Sequence, residues 1–276
     1  MSVRGRTAIE QSIRNPKGKT AFIPFVVGGD PDFDTSLRLI LELAEFSDVI
    51  EVGFPYSDPL ADGPVIQAGS LRALQAGMNL PKCLELIRKV REKTDVPLIA
   101  FTYVNPVVQY GMERLAAACQ EAGADGLIVP DLPFEESDEL QQAVDRHELA
   151  LIPLVAPTSG ERVKKVVASA RGFLYCVSSL GVTGERGKFM QALESFVQNV
   201  KSLSNLPVAV GFGISQPKQV AELSSYADGV IVGSAIVRRV QAVADAVAAH
   251  DEGKSLQAIR DVATFAKGLA RAGFDA

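Results

Sequence analysis

Eight short apolar runs, separated by stretches of helical periodicity, constrain this chain more than any other feature. They read AFIPFVVGG from Ala21, DVIEVGFP from Asp48, PLIAFTYV from Pro97 and DGLIVPD from Asp125. Then follow LALIPLVAP from Leu149, GFLYCVSS from Gly172, PVAVGFGI from Pro207 and GVIVGSAI from Gly229. Each run is nearly continuous in apolar residues rather than alternating, which is the pattern of a strand buried on both faces of a parallel sheet. Between them lie amphipathic helical patterns such as Leu37-Leu39-Ile40-Leu43, Leu84-Ile87-Val90 and Val163-Val166-Val167. Eight strand–helix units predict an α/β fold, a closed (β/α)8 TIM barrel, with a doubly wound open sheet as the alternative. A length of 276 residues would also allow two small domains. No linker, charge block or low-complexity tract divides the chain, so 1–276 reads as one barrel domain. The amphipathic start, Ile9 to Ile13, predicts an extra N-terminal helix at the barrel bottom. The tail, Leu256 to Leu269, predicts an additional helix after the eighth strand.

Spacing carries functional information. The second unit, from position 48 to 97, is over-long, and the sixth, from 172 to 207, is so to a lesser degree. An extra helix after the second strand accounts for part of the first excess. Barrel enzymes place their chemistry on the loops that leave the C-terminal ends of the strands, so the residues just after these two strands are the ones to inspect. The second run reads Val49-Ile50-Glu51-Val52-Gly53, and side-chain alternation puts Glu51 on one face with Val49 and Gly53. A carboxylate in a strand covered on both sides costs several kcal/mol unless it is paired or protonated. None of the eight runs holds a Lys or Arg to pair with it. Glu51 is therefore either a general acid/base with a raised pKa, or a group at the barrel mouth that bonds backbone N–H and reaches water. The loop after it, Tyr56-Ser57-Asp58-Pro59-Leu60-Ala61-Asp62-Gly63-Pro64, is stiff and acidic. Asp58 reads first as a turn residue, while Asp62 either caps the next helix or folds back over the mouth as a second carboxylate.

Glycines gather at the ends of the last three strands: Gly181 and Gly184 after the sixth, Gly211 and Gly213 after the seventh, Gly233 before Ser234 after the eighth. Glycines let backbone N–H groups approach an anion, and the helix after the eighth strand would aim its N-terminus at the same point. This predicts a phosphate site. Tyr103, Asn105 and Tyr175 sit near strand ends and are candidates to line the cavity. Asp131 reads as a cap or a supporting group.

Absences narrow the chemistry. A strand without Lys leaves a Schiff base or a pyridoxal-phosphate site no attachment point. With His147 and His250 isolated, and Cys83, Cys119 and Cys176 far apart, no metal ligand set is legible. The odd, scattered cysteines point to a reducing compartment. Neither GxGxxG after a strand nor a P-loop occurs. Twenty-eight basic against 33 acidic residues form no basic tract for nucleic acid. The start MSVRGRTAIEQSIR lacks an apolar signal core, and the stretch from Val96 to Met112 is broken by Pro97, Asn105 and Pro106. A soluble cytoplasmic protein is expected, with two carboxylates and a phosphate anchor working on a substrate that supplies its own electron sink.

The run from Glu51 through Asp62-Gly63-Pro64 to Ile66-Gln67 closely resembles the tryptophan synthase α-subunit family. Gly181-Val182-Thr183-Gly184, Gly211-Phe212-Gly213-Ile214-Ser215 and Gly233-Ser234-Ala235 match its other motifs in order. The resemblance implies a barrel lyase that cleaves indole-3-glycerol phosphate into indole and glyceraldehyde 3-phosphate, a step of tryptophan biosynthesis. It implies that Glu51 is the acid/base and that Asp62 holds the indole N–H. Phe22, Tyr103 and Tyr175 would line the substrate, and Thr183, Gly184, Gly211, Gly213, Gly233 and Ser234 would surround the glycerol phosphate. No cofactor is implied for this chain; the implied partner is a pyridoxal-phosphate-dependent β subunit in an α2β2 heterotetramer. Pro55, Asp58 and Pro59, with the loops after the second and sixth strands (the latter Ser179–Lys188), would face that partner. A stand-alone lyase releasing free indole, or a weakly catalytic, ligand-sensing barrel, are the other readings.

Overall fold

The computed structural model describes residues 3–59, 62–177, 186–211 and 213–273, with the backbone alone for 186–189. All eight apolar runs form strands: β1 (Ala21–Val27), β2 (Ile50–Gly53), β3 (Leu98–Phe101), β4 (Gly126–Ile128), β5 and β6 (Ala150–Leu151, Leu154–Val155), β7 (Leu174–Val177), β8 (Val208–Gly211) and β9 (Gly229–Val232). Every pairing is parallel, in the order β5-β4-β3-β2-β1-β9-β8-β7-β6. The two ends of that order are one stretch of chain. Ile152 N–H still bonds Leu127 on the β4 side, whereas the Pro153 carbonyl accepts from Tyr175 on the β7 side. The fifth strand changes neighbours at this joint, and the sheet closes through it as a barrel.

Parity then sorts the side chains. Ala21, Ile23, Val49, Ile99, Ile128, Ala150, Ile152, Phe173, Tyr175, Ala209 and Ile231 fill the interior together with Ile9 and Ile13 of α1 (Gly5–Arg14). The predicted N-terminal helix thus plugs the barrel bottom. Gly126 admits it, since a Cβ there would stand 2.9 Å from Ile9 Cδ1. The outward residues of the strands pack under the surrounding helices, with Cys83, Cys119 and Cys176 free and buried among them.

Around the barrel run α2 (Phe33–Ala44), α3 (Pro64–Gln75), α4 (Leu80–Arg91), α5 (Val104–Tyr110), α6 (Met112–Ala122) and α7 (Asp138–Arg146). They are followed by α8 (Arg162–Ser169), α9 (Arg186–Leu203), α10 (Pro217–Leu223), α11 (Ser234–Ala248) and α12 (Glu252–Ala272). The extra helices expected after the second and eighth strands are α3 or α4, and α12. α5 was not legible, because Pro106 reads as a breaker. It occupies the third helical position, where a missing N–H costs no intrahelical bond. Asp131, just after the neighbouring strand β4, caps this helix by accepting from Val104 N–H at 2.9 Å. Among the described residues no helix is long and apolar enough to cross a membrane, and no cluster of three or more His, Cys, Asp or Glu could hold a metal.

At the bottom, Asp125 is fully buried and accepts from Gly5 N–H (2.7 Å), Leu98 N–H (2.9 Å) and Arg91 Nη2 (2.6 Å). One carboxylate thereby ties α1, β3 and α4 to the start of β4. Arg91→Met would leave that charge buried without its cation and is expected to cost about 3–5 kcal/mol. Urea unfolding measures this, and a loss below about 1 kcal/mol would mean that the two backbone donors suffice.

Candidate active site

At the C-terminal ends of the strands lies a cavity of about 320 Å³. Its wall is largely apolar, with Phe25, Ile66, Phe101, Pro130, Leu154, Tyr175, Val177 and Ile231, and its polar members are Glu51, Asp62, Gly213, Gly233 and Ser234. That combination of an apolar body with a few convergent polar groups is typical of a small-molecule site.

Glu51 enters from β2 in register with Phe25 of β1 and Ile99 of β3. It is 1% exposed, and its Oε1 has no hydrogen-bond partner among the described residues. Among the described residues neither a cation nor a backbone donor compensates it, and burial pushes its pKa from 4.5 up to about 8. At neutral pH Glu51 is a protonated acid facing an apolar cavity. Of the two readings that alternation left open, the geometry fits the raised-pKa acid.

Asp62 precedes α3 but does not cap it. Gly63 is the cap residue, with Pro64 in the first helical position, and the Asp62 backbone carbonyl accepts from Gln67 Nε2 at 2.8 Å. Its carboxylate is left to the cavity. Burial raises its pKa, and the Tyr103 hydroxyl opposes that rise. The hydroxyl approaches Asp62 without closing a hydrogen bond of ordinary geometry. Tyr103 itself stands behind the cavity wall, buried, stacked on Tyr56 at 5.5 Å and edge-on to Phe101 at 6.4 Å. Contrary to expectation, it is not part of the cavity surface. Asn105 joins the same cluster by donating to the Tyr56 hydroxyl at 2.7 Å.

The helix that follows Asp62 is anchored from within. Arg72 of α3 grips Asp30 with two 2.8 Å bonds and reaches Gln241 of α11 at 2.7 Å. One guanidinium thus ties α3, the turn after β1 and the helix whose N-terminus borders the cavity to one another. α11 begins at that border, with Gly233 as its cap residue and Ser234 first in the helix. Its leading N–H groups and dipole favour an anion there. Gly213 lies nearby with φ +72°, a conformation other residues rarely adopt.

Three further expectations meet the structure differently. Phe22 does not face the cavity. It lies on the outward parity of β1, 6.2 Å from Phe46, while Phe25 takes the inner position. Gly211 is absent from the cavity wall. A Cβ on it would stand 2.4 Å from the Tyr175 hydroxyl, so it makes room for that ring. Tyr175 does line the cavity, close enough to Glu51 that the carboxylate adds to the rise burial gives its pKa. Thr183, Gly184 and most of Ser179–Lys188 lie outside the described residues. Pro55 and Pro59 are half-buried and Asp58 is exposed, beyond the cavity wall. His147 bonds Glu113 and Gln120 on the outer surface, and His250 is exposed, both away from the site.

A buried carboxyl at a strand end, facing a mostly apolar cavity at the C-terminal face, gives this chain the arrangement of a (β/α)8-barrel enzyme. Its relatives narrow this further. A sequence profile of the tryptophan synthase alpha chain matches residues 12–268. The alpha chain of Geobacillus kaustophilus is 51% identical over 251 residues, which cover 90% of this chain and 93% of that one. That of Halalkalibacterium halodurans is 52% identical over 229 residues, covering 82% and 86%. Among solved structures, the alpha subunit from Legionella pneumophila superposes with a TM-score of 0.85 at 31% identity over 100% of both chains. A Mycobacterium tuberculosis tryptophan synthase structure gives 0.84 at 34% identity over 99% of each chain. The chain belongs to the tryptophan synthase alpha chain family, lyases that cleave indole-3-glycerol phosphate. The family implies a beta-chain partner.

Proposed function

We propose that Glu51, Asp62 and the border of α11 divide the cleavage of indole-3-glycerol phosphate between them. The observation that carries this reading is the uncompensated Glu51 carboxyl, protonated at neutral pH inside an apolar cavity. Glu51 delivers its proton to C3 of the indole ring, which turns the ring into an iminium electron sink. The resulting carboxylate takes the proton of the adjacent glycerol hydroxyl. The bond from C3 to the glycerol carbon then breaks and its electron pair returns to the ring, giving indole and glyceraldehyde 3-phosphate with Glu51 again protonated. Asp62 accepts from the indole N–H and stabilises the positive charge that develops there, a division of labour between carboxylates set by environment. Phe25, Phe101 and Tyr175 would enclose the ring, and Gly213, Gly233 and Ser234 would hold the phosphate, joined by Thr183 and Gly184 from the loop beyond β7.

In this reading the chain carries no cofactor of its own and works in the cytoplasm, within an α2β2 heterotetramer. The beta partner binds pyridoxal phosphate and receives the indole, with Pro55, Asp58 and Pro59 at the contact. Indole release, assayed with and without that partner, tests it. Strong activation supports the complex, while full activity alone favours a stand-alone lyase. No release in either case would reject the cleavage. The phosphate border has its own check. A Cβ at Gly233 would sit 3.4 Å from Phe25 at the cavity edge, and the further methyls of Val would intrude on the anion. Gly233→Val is expected to raise KM about tenfold or more with a smaller effect on kcat; an unchanged KM would move the phosphate elsewhere.

A further inference from the structure

The ring of helices has a gap. α7 packs on α6 and α8 on α9, whereas α7 and α8 share little contact. Between them, over the joint where the fifth strand changes neighbours, lies a second cavity of about 240 Å³. It sits outside the barrel. Pro130 and Leu154 line both cavities and form the wall between them.

This second cavity is walled mainly by apolar side chains, with Phe134 and the flat rings of Pro130, Pro133 and Pro153 among them. Its serines are already engaged: Ser137 donates to the Phe134 carbonyl (2.7 Å), Ser169 donates to the Val166 carbonyl (3.2 Å), and Ser159 accepts from Ala156 N–H (3.1 Å). Gln141 of α7 is different. Its Nε2 is buried and has no hydrogen-bond partner among the described residues. A buried donor left unpaired and an apolar void both destabilise a fold. An occupant that fills the void and supplies an acceptor recovers both. Arg162 of α8 stands at the mouth with its side chain 57% exposed, one of its nitrogens paired with Glu135. A guanidinium carries five donors in a planar fork, so that single pairing leaves capacity for a second carboxylate.

We propose that this gap binds a small aromatic carboxylate, with the ring against Phe134 and the prolines. One carboxylate oxygen would accept from Gln141 Nε2, with the charge facing Arg162. The site uses none of the groups assigned to indole-glycerol-phosphate cleavage, so it stands or falls independently of that assignment.

Benzoate titrated into the isotope-labelled full chain tests the proposal, read by nuclear magnetic resonance at the Gln141 side-chain amide. A saturable shift is expected, with a Kd of about 1 mM, the scale of a weak fragment. Gln141→Leu, followed at the backbone amide of Phe134, should weaken binding about tenfold, the equivalent of one hydrogen bond to a charged group. Arg162→Met, at an exposed position that leaves the fold intact, should weaken benzoate more than neutral benzamide. No shift of the Gln141 amide, equal benzoate affinity in the wild type and Arg162→Met, or shifts confined to barrel-cavity residues such as Ile231 would each overturn the proposal.

Discussion

Glu51→Gln is expected to remove indole release, lowering kcat on the order of 10²–10⁴-fold, while the chain remains folded and still binds glycerol phosphate. Gln matches the shape and polarity of the protonated acid but can neither give a proton to C3 nor accept one from the hydroxyl. Retention of more than about a tenth of kcat, roughly 1.4 kcal/mol of barrier, would sink the assignment. The same variant has a stability signature. In the folded chain Glu51 holds its proton up to about pH 8, whereas its ordinary pKa is 4.5. Between these values the folded state binds a proton that the unfolded state has released, so its contribution is most favourable below the unfolded value. It is lost progressively as pH rises and levels off above about 8. Gln carries no such penalty. Denaturation curves should therefore show Glu51→Gln gaining on the wild type from about pH 5 to 8, where each unit of pKa shift is worth about 1.4 kcal/mol. Wild-type kcat/KM should fall above about pH 8 as the acid ionises. A profile flat through pH 9 would contradict it.

Asp62→Ala should be nearly as damaging to turnover, by a different route. The carboxylate reaches the cavity from a loop, and among the described residues no anion besides it and Glu51 lines the wall. Losing a preorganised charge opposite a developing one typically costs on the order of 10²–10³-fold in kcat. Stability should change by no more than about 0.5 kcal/mol, because the side chain is half-exposed and caps no helix. Asp62→Asn separates the two duties, since it can still accept from the indole N–H but stabilises no positive charge. If Asn restores more than half of the wild-type kcat, charge stabilisation is not what Asp62 supplies.

Much of this arrangement was legible because it rests on local rules. Eight apolar runs gave eight staves, since a strand covered on both faces has no polar side to show. Glu51 stood out for the same reason, as a carboxyl where no cation could follow. The misplacements have a common physical cause. Phe22 and Phe25 are equally apolar and three residues apart, so composition does not tell which faces inward; the register with Glu51 does. Gly211 read as an anion-binding glycine like Gly213 and Gly233, and only the Tyr175 ring occupying its missing Cβ reveals a packing role. Tyr103 sits near a strand end as predicted, but the loop carrying Asp62 lies in front of it.

The sequence alone determined what each segment must become and which group is anomalous, because burial periodicity and the cost of an unpaired charge act within a few residues. It also kept two readings of Glu51 open. The tertiary structure leaves the Oε1 of Glu51 without a partner among the described residues, which favours the raised-pKa reading. It also brought Asp62 and the start of α11 onto the same cavity, although they lie far apart in the chain. That convergence comes from β1, which pairs with β2 on one side and with β9, nearly 180 positions further along the chain than β2, on the other, a long-range event that no local pattern encodes.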